Sequence, residues 1–457
     1  MRQTEKENIK NDFTSGAIPK QLLQFALPLF AANLLQTLYN MVDMLVVGQF
    51  AGKVSLSAVS IGGDLLMFMT FFAMGFSSAG QVIIAQLLGS KQEGVIGKFV
   101  GTFFTFLLCG SLVLSVVCVG LRKEILGWVN VSSEAWSETM AYMLTCAVGL
   151  VFIYGYNGVS AVLRGMGDSR HPFLFIGISM VMNMILDLLL VGFAGMGAFG
   201  AAVATVVSQT FSFLAGIVFL LKNSGRLGFV LRAGDFLIDK DMLKLLVNLG
   251  FPMAISMAAI EFSKLFVNSW VNAYGVVITS VSGIGHRIVS VNNLTASAIG
   301  TASASMIGQN IGAGKYSRVS KTLFIALSAN CLVAVFFTIC ILVGNQQIFG
   351  FFIDDVDVLL AADAYIPVAI TMFFACATRA PMNGLIQGSA NPKVNLLTSV
   401  MDGIVMRIGL AMLLGYVCGY GYIGYWMGDA LAGFTELVIG GIFYLSGKWK
   451  RSGVDVK

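Results

Sequence analysis

The chain has 457 residues, of which 57% are hydrophobic and only 11% charged, with a formal net charge of +5. A soluble domain carries about a quarter charged residues, so this composition, with a mean hydropathy of +0.84, excludes an ordinary water-soluble protein and points to an all-α, polytopic membrane protein. The only two histidines, His171 and His286, leave no material for a histidine-based metal or catalytic cluster, and the seven cysteines, spread through apolar runs without a CxxC, read as small buried hydrophobes.

The first twenty residues are polar and mixed in charge. The apolar run that follows from Gln21 is too long for the core of a signal peptide and is expected to stay as the first span. Apolar runs then fall near 22–48, 55–87, 96–121, 137–163, 173–192, 198–221, 245–271, 278–310, 319–343, 364–386, 395–415 and 423–446, which predicts twelve transmembrane helices. Several exceed the roughly 20 residues that a bilayer requires, so tilted or projecting helices are expected. With the N-terminus inside, the inner segments carry 21 basic residues and the outer loops three, Lys53, Arg122 and Lys123. Basic residues accumulate on the cytoplasmic side, so both termini are expected in the cytoplasm and the chain in the plasma (cytoplasmic) membrane. Four basic residues remain within the membrane: Lys264, Arg287, Arg379 and Arg407.

The longest polar stretch, KNSGRLGFVLRAGDFLIDKDMLK at 222–244, divides the chain into an N-lobe at 1–221 and a C-lobe with its tail at 245–457, each with six spans. The halves match at a constant offset of 223, which pairs Gly52 with Gly275, Gly62 with Gly285, Gln86 with Gln309, Gly89 with Gly312, Gly165 with Gly388 and Gly192 with Gly415; Pro28 and Pro252 match at 224. An even number of spans per copy gives both halves one orientation, so a pseudo-twofold axis along the membrane normal and two lobes around a cleft are expected, the architecture of alternating access.

The run FLFIGISMVMNMILDLLLVG at 173–192 has the length of one membrane pass and carries a single charge, Asp187. An acid at that depth costs several kcal/mol unless it faces a bundle interior or a wet cavity, so it marks an ion, proton or substrate path. Asn183 lies one turn away on the same helix face. By helix rise, Asp43 in span 1, Asp187 in span 5 and Thr205 in span 6 share a level about 7 to 11 Å below the outer surface. Two carboxylates, an amide and a hydroxyl form an all-oxygen set suited to Na⁺, and two acids in a low-dielectric site also suit a proton carrier. The choice between Na⁺ and H⁺ stays open.

Gln36, Tyr39 and Asn40 lie within two turns of Asp43, and with Asn157 on span 4 they are expected to line a cleft for an organic cation. In the second half, Glu261 on span 7 is three residues from Lys264, and either neutralises it or joins Arg287 in a second-lobe site. Asp64 and Arg287 are repeat mates and candidates for a gate between the lobes. Arg379, Arg407 and Asp402 read as local charge compensation, with Asp429 and Glu436 unassigned.

QTLYNMVDMLVVGQFAG in span 1, LRGMGDSRHP after span 4, SGIGHRIVSVNNLTASAIGTASASMIGQNIGAGK through span 8, the two six-span halves and the paired prolines together resemble the multidrug and toxic compound extrusion (MATE) family over nearly the whole chain. The resemblance implies a V-shaped pair of six-helix bundles that exports organic cations in exchange for Na⁺ or H⁺. In its DinF-like branch the first-lobe cation site falls on Asp43, Asn183, Asp187 and Thr205, and Gln36, Tyr39 and Asn157 look like members of the first-lobe cavity. The NorM-like branch pairs an acid in span 7, which Glu261 resembles, with one in span 10, where this chain has Arg379 and no buried acid; that departure favours the first lobe.

The resulting expectation is an antiporter, not an enzyme, with no cofactor beyond a coupling H⁺ or Na⁺. Its partners are expected to be small organic cations and membrane lipid, with no nucleic acid, and the chain to be a monomer. The alternative is a lipid-linked oligosaccharide flippase of the same superfamily, which would carry more cationic residues in its cleft.

Overall fold

The computed structural model describes residues 10–451 and 453–454, and the outermost basic residues and both termini assigned to the cytoplasm lie outside that range. The described residues form helices joined by short turns. The long ones are α1 (Ile18–Phe50), α2 (Gly52–Gly89), α3 (Glu93–Gly120), α4 (Trp136–Gly165), α5 (Arg170–Asp187), α6 (Gly197–Leu227), α7 (Lys240–Asn272), α8 (Val276–Gly312), α9 (Tyr316–Gly350) and α10 (Ile366–Gly388). The chain ends in two broken helices, α11 beginning at Pro392–Val400 and α12 beginning at Gly421–Ala432.

Among the described residues, eleven helical segments are long and apolar enough to cross a membrane. The twelfth, α8, has the length, 37 residues, but interleaves Ser, Thr, Asn and Gly with its apolar positions, which lowers its apolarity rather than its helicity. Large apolar side chains stand exposed along the helices, among them Leu45, Phe193, Val343 and Leu445, as a lipid-facing surface requires.

The chain clusters into two compact units, one built on Ala31–Gly250 and the other on Phe13–Phe30 with the chain from Phe251 onward. Both breaks fall within three residues of a proline inside a helix, Pro28 in α1 and Pro252 in α7. A proline there removes one i→i−4 hydrogen bond and crowds the preceding turn, so the helix is weakest where its packing partners change. In the second unit Phe13, Leu22, Phe25 and Leu29 form one buried cluster with Ala298, Ala302 and Met306 of α8. In the first unit α3 receives the segment before α7: a side chain at Gly97 or Gly101 would collide with the backbone of Val230 or Asp235.

Inside each unit the repeat is visible in detail. A side chain at Gly62 would overlap the ring of Tyr142, and one at Gly285 the ring of Tyr365. The turn after α2 closes with the N–H groups of Ser90, Lys91 and Gln92 on the carbonyls of Gln86, Leu88 and Leu87; the turn after α8 repeats it with Ala313, Gly314 and Lys315 on Gln309, Ile311 and Asn310. Past α5 the register changes. Ala194 and Met196 donate to Leu189 and Leu190, and their counterparts are Cys418 and Tyr420 on Leu413 and Leu414, an offset of 224 rather than 223. The second half has an additional π turn at Met401–Met406, beside the one that each half has at Leu188–Phe193 and Leu413–Val417. A π turn absorbs one extra residue without ending the helix, which accounts for the shift and puts the pairing of Gly192 with Gly415 one residue out of register.

All seven cysteines are free thiols, but only Cys118 and Cys146 are fully buried, and Cys109 and Cys418 are exposed. Their apolar surroundings in the sequence signal lipid-facing helix surface as well as core.

Candidate functional site: a buried acid pair

Asp187 ends the regular part of α5, where the π turn at Leu188–Phe193 begins. It is 1% exposed, Asn183 one turn earlier is 2% exposed, and Asp43 on α1 is 8% exposed. The carboxyl groups of Asp43 and Asp187 lie near enough to interact with each other. No lysine, arginine or histidine forms an ion pair with either acid among the described residues. Both oxygens of Asp187, one of Asp43, and the oxygen and nitrogen of the Asn183 amide are buried without a protein hydrogen-bond partner. Two ionised carboxylates in such a place repel and are poorly solvated, a cost that protonation or a bound cation would relieve.

Tyr39, one turn before Asp43, places its hydroxyl 3.3 Å from Thr205 Oγ1 on α6. Thr205 donates its own proton to the Ala201 carbonyl, at 3.0 Å, so Tyr39 is the donor between the two. Tyr39, Thr205 and Asn183 also line, with Gln36, a recess of about 20 Å³, room for one water-sized occupant. Ser179, Ser208 and Gln209 complete the polar lining and were missed in the sequence, although each lies one turn from Asn183 or Thr205 on the same helix face. Ser179 donates to the Ser208 carbonyl across the α5–α6 contact, at 2.7 Å, which fixes the face that α5 turns to α6.

The remaining expected residues stand apart from this cluster in different ways. Asn40 is exposed, and Asn157 turns its amide back onto the Ile153 carbonyl of its own helix, at 2.8 Å. Glu261 and Lys264 bond each other at 2.8 Å, which is the self-neutralising alternative for that pair. Asp64 and Arg287 are exposed and lie in different units. In the second unit two buried acids are instead tied to arginines: Arg407 holds Asp429, and also Asp402 at 3.3 Å, while Arg379 lies 3.9 Å from Asp402; the buried Glu436 accepts from the Asn383 amide at 3.2 Å.

The chain matches the MatE family model over residues 28–189 and again over 252–416, one match in each half. It is 26% identical over 460 residues to the probable multidrug resistance protein YoeA of Bacillus subtilis, covering 99% of both chains. It is 24% identical to the probable multidrug resistance protein NorM of Thermotoga maritima, covering 96% of this chain and 94% of the relative. A crystal structure of MATE in a bent conformation superposes with a TM-score of 0.87 at 20% identity, covering 98% of this chain and 99% of that one, which shows a common fold. With both halves of the chain matched in turn, the protein belongs to the MATE family of membrane transporters.

Proposed function

We propose that this protein is a secondary active antiporter that exports organic cations and drug-like compounds in exchange for H⁺ or Na⁺ by alternating access, with Asp43, Asn183, Asp187 and Thr205 holding the coupling ion. The observation that carries this reading is the pair of facing, buried carboxyl groups with no basic partner. The names of the relatives, multidrug resistance proteins, support drug efflux over the flippase alternative. The first-unit location agrees with the DinF-like branch. The same reading puts the chain in the plasma membrane as a monomer with cytoplasmic termini and Gln36, Tyr39, Asn40 and Asn157 toward the substrate.

In this scheme a cation from outside neutralises the two acids and lets α1 and α5 approach. Organic cation and coupling ion then compete for one negative centre, so loading by the ion releases the substrate and unloading readies the site for the next one. Each ligand must prefer one of the two states, because equal affinity for both shifts nothing. Transport of a fluorescent organic cation in proteoliposomes, with Na⁺ and pH gradients imposed separately, tests the scheme. One of the two gradients is expected to drive uptake in the wild type and neither in Asp43→Asn/Asp187→Asn; full gradient-driven transport by the double variant would reject the site.

A further inference from the structure

The second unit contains a cavity of about 430 Å³ that the proposed cation exchange leaves unused. Its volume is in the range of small-molecule pockets, and its wall mixes apolar side chains such as Leu265 and Met372 with the polar groups of Asn268, His286, Asn293 and Arg379.

The charges in this cavity are unequally committed. Glu261 is bonded to Lys264 at 2.8 Å. Asp429 is bonded to Arg407, which also reaches Asp402, and the Arg407 side chain is 5% exposed. Arg379 differs. Its guanidinium makes no hydrogen bond among the described residues, its one ion contact is at 3.9 Å to an Asp402 already held by Arg407, and its side chain is 24% exposed on the cavity wall. The side chains of Asn268, His286 and Asn293 likewise make no hydrogen bond among the described residues. Both acids that line the cavity are engaged by a base of the chain, whereas the guanidinium of Arg379 makes no hydrogen bond among the described residues. A guanidinium presents five donors in a planar fork that matches a carboxylate.

We propose that this cavity is a binding site for small organic anions, with a carboxylate held on Arg379, its amide neighbours Asn268 and Asn293 on either polar group of the ligand, and an apolar body against Leu265 and Met372. The inference rests on the export reading for its consequence, that acidic compounds are also substrates, but binding is measured without transport.

Isothermal titration of the purified full-length protein in detergent with naphthalene-2-carboxylate, and with the neutral isostere naphthalene-2-carboxamide, tests it. The acid is expected to bind about tenfold or more tighter than the amide, the loss of one charge-assisted pair. Arg379→Gln is expected to abolish that preference, and Arg379→Lys, which keeps the charge and loses the fork, to reduce it. Asn293→Leu, which touches no ion pair, provides a variant whose folding is not at stake and is expected to weaken acid binding severalfold. Equal affinity for acid and amide in the wild type, an unchanged preference in Arg379→Gln, or unchanged affinity in Asn293→Leu would each overturn the proposal. Asp43→Asn/Asp187→Asn is expected to bind the acid as the wild type does, so failure of the cation-exchange scheme and failure of the anion site give different results.

Discussion

The two units share their turns, their glycine–tyrosine contacts and their π-turned helices, and differ in how their buried acids are partnered. Carried through the one-residue shift at Met401–Met406, Asn183 corresponds to Arg407, Asp187 to Ala411 and Thr205 to Asp429. In the first unit two acids meet with no base; in the corresponding place of the second unit a guanidinium is bonded to an acid. Under the proposed exchange the first centre would take its positive charge from solution, whereas the second has one on the side chain of Arg407. A duplicated scaffold can thus keep its packing while one copy leaves its buried acids without a base and the other fixes an arginine beside them.

The largest effect expected from breaking this contrast is on transport. Asp43→Asn/Asp187→Asn removes the centre's need for a cation and should bring gradient-driven efflux to the background of cells without the protein, at unchanged protein level in the membrane fraction. Arg407→Ala attacks the other copy. It leaves Asp429 and Asp402 buried without their main partner, and a loss of about 3 to 5 kcal/mol is expected, read as a lowered thermal midpoint in detergent. The two substitutions thus separate by readout: the first costs coupling with little stability, the second stability first. Gly62→Ala and Gly285→Ala test what the copies have in common. Each forces a methyl group into a tyrosine ring, Tyr142 or Tyr365, and overpacking of this kind costs about 1 to 3 kcal/mol, so nearly equal losses are expected. Unequal losses would mean that the shared geometry is not equally tight.

Much of this was legible in the sequence, for identifiable reasons. A lone acid in an apolar run is expensive, so Asp43 and Asp187 declare themselves, and Asn183 and Thr205 follow from helix periodicity and depth. Ser179 and Ser208 did not, because a hydroxyl in a membrane helix commonly bonds to its own backbone, as Ser208 does to Ala204, and its presence alone carries no signal. The Arg407–Asp429 pair was hidden by the π turn, since a fixed offset of 223 places Arg407 one residue away from the partner of Asn183. A hydropathy profile also counts α1 as one uniform run, so it is blind to the change of packing partner near Pro28; only the paired prolines hint at it.

A further contrast, with the smallest effect of all at Asp239, lies in the segments that lead into α1 and α7, which the two units anchor with opposite charge. In the second unit Arg318 donates to the carbonyls of Phe13, Ser15 and Gly16, at 3.0, 3.1 and 2.9 Å, and to Gln21. In the first unit Asp239 caps α7 by accepting from the N–H groups of Asp241 and Met242, both at 3.0 Å, and pairs with Lys98 at 2.7 Å. Arg318→Ala removes charge-assisted bonds to three carbonyls and is expected to lower stability by about 1.5 to 3 kcal/mol at neutral pH. Asp239→Ala removes one cap and one half-exposed ion pair, and about 1 kcal/mol is expected. Their pH dependence separates them further. The Lys98 hydrogen bond, helped by the Met242 N–H, holds the Asp239 carboxyl below its ordinary value. A depressed carboxyl stabilises fully above the unfolded value, about 3.9, and loses its contribution as the pH falls through the folded value. The difference in thermal midpoint between wild type and Asp239→Ala should therefore shrink on acidification from pH 7 to pH 3, while that for Arg318→Ala, whose acceptors are carbonyls and an amide, stays; a gap for Asp239→Ala that is constant across this range would assign the anchoring to backbone packing of the Val230–Leu237 segment on α3 instead.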